Sequence, residues 1–126
     1  MKKINGIPLI VMTYQNLLDM NIFDKIVVAT DSLEISNTIK ENGGEVFLSK
    51  KKHFCGTDRV SEASNNFKSD IIINVQGDEP FVNPESIKKI INFFKDKINK
   101  NIPVVSLMYG TNDVAIIDDE NCVKVV

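Results

Sequence analysis

An α/β fold built on a mostly parallel sheet is what this chain predicts, and three observations carry it. Short β-branched runs alternate with helical periodicities along the whole length, helix-start signals stand between them, and the apolar run Ile71-Ile72-Ile73-Asn74-Val75-Gln76 stops abruptly at Gly77-Asp78-Glu79-Pro80. Alternating strands and helices argue for parallel strands joined by right-handed crossovers, with helices on both faces in three layers. In such sheets the ligand crevice lies beyond the carboxyl ends of the strands. The acidic pair after Gly77 is therefore expected at its lip.

Each element has its own signal. Pro8 suits a first helical turn, and Ile10, Tyr14, Leu17 and Leu18 follow at helical spacing. Residues 25–30 form a compact β-branched run that reads as a buried strand. Asp31, with Glu34 three residues on, has the form of a capping box for a helix carrying Leu33, Ile35 and Ile39 and ending at Gly43-Gly44. Glu45-Val46-Phe47-Leu48 is the next strand, followed by a polar loop from Ser49 to Gly56 and a helix with Val60, Ala63 and Phe67 inside. The sheet is expected to resume over 70–75. Asn83-Pro84-Glu85 combines a cap, a first-turn proline and an acid at the positive end of the dipole. Ile87, Ile90, Ile91, Phe94 and Ile98 then make an apolar stripe. Residues 103–108 read as a strand, and 123–126 as the start of another. The whole is expected to be one domain over 1–126, unfinished at both ends.

Composition narrows the classes. With 126 residues, 43% apolar, 25% charged and a net charge of −2, the chain has the make-up of an ordinary globular domain. A nucleic-acid partner is not expected, because phosphate contacts call for a basic excess. The run Lys50-Lys51-Lys52 reads as solvated loop. No apolar stretch is long enough to cross a bilayer and no signal peptide is apparent, so a cytoplasmic location and no membrane partner are expected. Cys55 and Cys122 lack metal-ligand spacing and read as free thiols.

The chemistry concentrates around two segments. Pro80 biases Glu79 toward an extended conformation, leaving the carboxylates of Asp78 and Glu79 free for solvent or a metal ion; a plain polar turn is the competing reading. Gln76 offers an amide that donates and accepts, although its amide could equally bond a neighbouring loop. Arg59 could fork onto a phosphate or carboxylate ligand, or pair locally with Glu62 or Asp58. His53, beside Phe54, reads as surface or packing.

Taken in order, Ile4-Asn5-Gly6-Ile7-Pro8-Leu9-Ile10, Ile26-Val27-Val28-Ala29-Thr30-Asp31, Gly43-Gly44-Glu45-Val46, Gly56-Thr57-Asp58-Arg59, Asn74-Val75-Gln76-Gly77-Asp78-Glu79-Pro80 and Val123-Lys124-Val125-Val126 resemble the CMP-Kdo synthetases, the 3-deoxy-manno-octulosonate cytidylyltransferases. The resemblance runs through essentially the whole chain. It implies a nucleotide-diphospho-sugar transferase type of fold, and transfer of a cytidylyl group from CTP to the anomeric hydroxyl of Kdo, giving CMP-Kdo and pyrophosphate for lipopolysaccharide assembly. It also implies Mg²⁺ as cofactor with Asp78 as its ligand and catalytic carboxylate, Gln76 near sugar or nucleotide, and Cys55, Gly56, Thr57, Asp58 and Arg59 about the cytosine and ribose. Cys55 stands where the family usually has serine, a change worth roughly one hydrogen bond, about 1 kcal/mol.

The family's triphosphate-binding loop would precede Met1, and a second metal-binding aspartate, the dimerisation segment and most Kdo-binding residues would follow Val126. The expectation is a partial cytidylyltransferase domain, with activity of this chain alone left open and a homodimer for full-length members. A neuraminate or other sugar-acid cytidylyltransferase is the nearest alternative. A non-catalytic remnant acting as a binding module, and a response-regulator-like or dinucleotide-binding domain, are the alternatives from other classes. Exposed strand edges predict self-association.

Overall fold

The computed structural model describes residues 1–96, 99 and 101–124. Its contacts divide into two compact units, Met1–Lys88 and Lys89–Val126. The first opens with a two-residue-loop hairpin, β1 (Lys3–Ile4) against β2 (Ile7–Pro8), antiparallel with Ile4 opposite Ile7. Asn5 (φ 49°) and Gly6 (φ 83°) both take positive φ at the turn, the requirement of the tight hairpin turn for which Asn-Gly is the favoured pair. Helix α1 (Leu9–Asp19) starts directly after it, with Pro8 one position ahead of the first helical residue rather than on it.

Strand β3 (Val27–Thr30) pairs in parallel with β4 (Glu45–Leu48), Val28 opposite Val46 and Thr30 opposite Leu48. Between them α2 (Leu33–Glu41) makes the crossover and packs on both strands. Ser32, not Asp31, caps α2: its side chain accepts from the Ile35 N–H at 3.4 Å. Ser32 occupies the extended position directly before the helix, where a short hydroxyl reaches the third helical N–H; Asp31 is one residue too early. The C-terminus closes as a Schellman motif, Gly44 N–H to Ile39 C=O at 2.8 Å and Gly43 N–H to Lys40 C=O at 3.0 Å, with Gly43 at φ 76°.

Helix α3 (Gly56–Ser64) packs on β3, and α4 (Pro84–Lys95) begins in the first unit and ends in the second. Phe67 lies beyond α3 rather than on its inner face, and its ring carries the Lys25 ammonium at 4.5 Å from the centroid. Asn83 caps α4, its Oδ1 accepting from the Glu85 N–H at 2.8 Å. Among the described residues the buried apolar ones are Tyr14, Ile39, Ala63 and Ile87, one from each of α1 to α4. No helix among the described residues is long and apolar enough to cross a membrane.

Two expected strands are not formed as paired strands among the described residues. Residues 71–76 have no regular secondary structure, with Ile71, Ile73 and Val75 half-buried and Ile72, Asn74 and Gln76 exposed, the burial period of a strand without its ladder. Residues 103–108 are likewise unpaired, and of them Val105 alone is half-buried. The expected strand over 123–126 reaches only Val123 and Lys124, which are irregular; Val125 and Val126, like Ile98 of the α4 stripe, lie outside the described residues. In the second unit the Phe93 and Phe94 rings meet edge to face at 5.7 Å. Its short helix α5 (Val114–Asp118) is capped by Asp113, which accepts from the Ala115 N–H at 3.0 Å.

Candidate functional site

The turn after residues 71–76 is held by α1. Glu79 N–H bonds the Gln76 carbonyl at 3.2 Å, closing the turn that carries Asp78. The Thr13 hydroxyl reaches the Gly77 carbonyl at 3.0 Å and the Leu9 carbonyl at 3.1 Å, and Asn16 donates to the Val82 carbonyl at 3.2 Å. A side chain at position 77 would place its Cβ 2.7 Å from Ile10 Cδ1, so a larger residue there would require the end of the Ile10 side chain to shift. Asp78 and Glu79 are left exposed, and Pro80 is buried beneath them.

The start of α3 adjoins the same segment. A Cβ at Gly56 would stand 3.2 Å from Gln76 Oε1, and Asn74 Nδ2 donates to Thr57 Oγ1 at 3.2 Å. Gln76 Nε2 in turn reaches Asn74 Oδ1 at 3.4 Å. Gly56, Thr57, Asn74 and Gln76 thus form one polar strip next to the acidic turn. Cys55 is the extended residue before α3, exposed and making no side-chain cap bond. The first N–H groups of α3 therefore lack the hydroxyl acceptor that serine would supply, and the positive helix end favours an anionic or carbonyl ligand. Asp58, exposed in the first turn, partly offsets that field.

Arg59 pairs with neither Glu62 nor Asp58. Its guanidinium donates to Asp31 Oδ2 at 3.1 Å, linking α3 to the end of β3, while its Nε is buried without a partner. Asp31, half exposed, makes this a pair of under about 1 kcal/mol whose main effect is alignment. Glu62 instead faces the preceding loop. It accepts from Ser49 Oγ at 2.5 Å and lies 3.0 Å from His53 Nε2 and 3.4 Å from Lys51 Nζ. The Ser49 hydroxyl, with Lys51 and His53, holds its carboxyl below the usual glutamate value.

Among the described residues no three His, Cys, Asp or Glu side chains gather as a metal cage. Asp78 and Glu79 are exposed hard-oxygen donors on one turn. Mg²⁺ commonly takes one or two carboxylates and completes its octahedron with water and substrate phosphates. This donor set fits such a shared site.

Comparison with known proteins gives the family. A cytidylyltransferase family profile matches residues 1–126. The chain belongs to the cytidylyltransferase family. It is 40% identical over its full length to a 3-deoxy-manno-octulosonate cytidylyltransferase of Christiangramia forsetii, covering 51% of that protein, and 38% identical to that of Flavobacterium johnsoniae, covering 52%. This cytidylyltransferase chain spans about half the length of the curated relatives it matches. A solved structure of CMP:2-keto-3-deoxy-manno-octonic acid synthetase complexed with CTP superposes with a TM-score of 0.71 at 30% identity, over 77% of this chain and 40% of that one. The α/β fold expected from sequence is the fold of this family.

Of the residues singled out in sequence, Gly56, Thr57 and Gln76 come together, Asp78 stands on the adjoining turn, and Arg59 turns to Asp31. Asn74 was read as part of a strand, yet it bridges the two segments. An asparagine on the exposed phase of an apolar strand was the available signal. The roles of Thr13 and Glu62 had no local signal, because both act on residues distant in sequence.

Proposed function

We propose that this chain carries the CTP-binding part of a CMP-Kdo synthetase. The observation that carries the reading is the closeness of Gly56, at the open N-terminus of α3, to Gln76, two residues before the exposed Asp78. An electropositive helix end next to a metal-binding carboxylate suits a nucleoside triphosphate accompanied by a divalent ion. The relatives named above add the identity of the nucleotide and the sugar acid.

In the proposed reaction the anomeric hydroxyl of Kdo attacks the α-phosphorus of CTP. The new O–P bond forms as the bond to the bridging oxygen breaks; pyrophosphate departs and the hydroxyl proton is released. Asp78, with Glu79 nearby, would hold Mg²⁺, whose contribution is to neutralise triphosphate charge. Thr57, Asn74 and Gln76 supply hydrogen-bonding groups for the base, ribose or sugar acid, and Cys55, Gly56 and Asp58 shape the approach to α3. Arg59 orients α3 through Asp31. A cytoplasmic location and a homodimer of the full-length enzyme belong to the same proposal.

A second reading, CTP binding without turnover, is favoured by the scarcity of charge at the site: one carboxylate pair, and an arginine already engaged by Asp31. Calorimetric titration of the chain with CTP, with and without Mg²⁺, tests the proposal. CTP is expected to bind in a Mg²⁺-dependent manner, and Asp78→Ala to weaken binding at least about tenfold, the scale of a lost charged contact. Saturating CTP at about 100 times its Kd should add about 2.7 kcal/mol of stability. Absence of any CTP-dependent thermal shift would count against both readings; binding without CMP-Kdo formation would select the second.

A further inference from the structure

We propose that Glu62 is a positioning residue for the nucleotide-binding loop, fixing where Cys55, Gly56 and Thr57 stand by tying the loop before them to the body of α3. The inference rests on the reading of the α3 N-terminus as part of the CTP site. One carboxylate grips the loop at its beginning, middle and end. Oε2 accepts from Ser49 Oγ at 2.5 Å and lies 3.0 Å from His53 Nε2, and Oε1 faces Lys51 Nζ at 3.4 Å.

Ser49 is itself anchored. It is buried, its N–H bonds the Thr30 carbonyl at 2.8 Å as a continuation of the β3–β4 pairing, and its hydroxyl oxygen accepts from the Lys51 N–H at 3.1 Å. The carboxylate thus refers the loop to the sheet at one end and to α3 at the other. His53, two residues before Cys55, is the link nearest the site.

The burial of His53 shows that this is more than filling space. Its side chain is 8% exposed, yet Nδ1 is buried without a partner. An unpaired buried nitrogen disfavours the folded state, and an apolar ring would fill the same volume without that cost. The compensating feature is the Nε2 contact with Glu62. Lys51 folds back to the carboxylate. The loop between Ser49 and Gly56 has no secondary structure of its own, so side-chain ties decide its path.

Hydrogen exchange of the 126-residue chain, followed with CTP titration, tests this in Glu62→Gln, His53→Ala and His53→Gln. Glutamine at 53 keeps a donor near the Nε2 position, whereas alanine removes it. Expected are faster exchange over residues 49–57 and a CTP Kd raised about tenfold in Glu62→Gln and His53→Ala, with substantial recovery in His53→Gln. Exchange in α1 and α2 should stay at the wild-type rate. Unchanged loop exchange in Glu62→Gln overturns the proposal, as does a loosened loop with unchanged CTP affinity, or equal loss in both His53 variants. If wild-type chain binds no CTP, the reading of the site fails by itself, and the exchange pattern still decides whether Glu62 holds the loop.

Discussion

Cys55 is the position at which a single side chain most clearly falls short of what its place requires. It is extended (φ −147°, ψ 171°), it immediately precedes α3, and it makes no cap hydrogen bond. A serine there has the same size and a hydroxyl oxygen able to accept from the first turn of the helix, a contact typically worth about 1 kcal/mol. Cys55→Ser is accordingly expected to raise the stability of the chain by about 1 kcal/mol in urea denaturation, with an unchanged m-value. No gain would mean that the α3 N–H groups are already satisfied. Arg59 teaches the complementary lesson at the same scale. Its sequence neighbours suggested an i,i+3 partner, but the guanidinium turns to Asp31, twenty-eight residues away, because β3 ends directly beside α3. Local spacing shows which partners are reachable along a helix; it says nothing about a strand end delivered by the fold.

At the scale of elements, α1 to α4 and the β3–β4 pair were legible because their signals are local: apolar periodicity, β-branched runs, and the Asn83-Pro84 start. Gly43-Gly44 was legible as a helix end for the same reason, but its packing role was not. A Cβ at Gly44 would meet Ile39 Cγ2 at 2.5 Å and Tyr14 Cζ at 3.0 Å, two of the four buried apolar residues. Gly44→Ala is therefore expected to destabilise by about 1–3 kcal/mol through overpacking, measured by thermal or chemical denaturation. An effect within a few tenths would show that α1 and α2 separate freely. The strands expected over 70–75 and 103–108 illustrate the opposite limit. Burial alternates over the first, with Ile71, Ile73 and Val75 half-buried, whereas a ladder needs a partner that the segment does not encode. The link between α3 and its loop adds a pH dependence. Glu62 is held below its ordinary value of 4.5, first by the Ser49 hydroxyl and then by Lys51 and His53. A depressed carboxyl stabilises the folded loop above the unfolded value, and this contribution is lost as pH falls through the lowered one. Measured against the intrinsic exchange rate at each pH, protection over residues 49–57 should hold above the ordinary glutamate value and fall as pH drops through the lowered one, and this fall should vanish in Glu62→Gln. The same fall in the variant would assign it to other carboxylates.

For the whole molecule, the decisive quantity is how little apolar surface is enclosed. Among the described residues Tyr14, Ile39, Ala63 and Ile87 are the buried apolar ones, all within Met1–Lys88. In the second unit Val104, Met108, Tyr109 and Val123 are each more than 70% exposed, and none of its described apolar residues is fully buried. In the first, Ile72 is 54% exposed on a segment that joins no strand pairing among the described residues. Exposed apolar side chains on unpaired backbone offer both area, worth about 25 cal/mol per Å² when covered, and free main-chain hydrogen-bonding groups. A second copy supplies complements for both at once. The chain is therefore expected to self-associate, with a mass by light scattering after size exclusion that exceeds the monomer and rises with concentration. Ile72→Lys places a charge on the exposed phase of that segment without touching Ile71, Ile73 or Val75, so it should lower the associated fraction while leaving helix content by circular dichroism unchanged. A monomeric mass at every concentration would show that these segments are protected, and equal association of Ile72→Lys would move the contact to other exposed apolar residues, such as Phe54 and Phe81 in the first unit or Val104 and Met108 in the second.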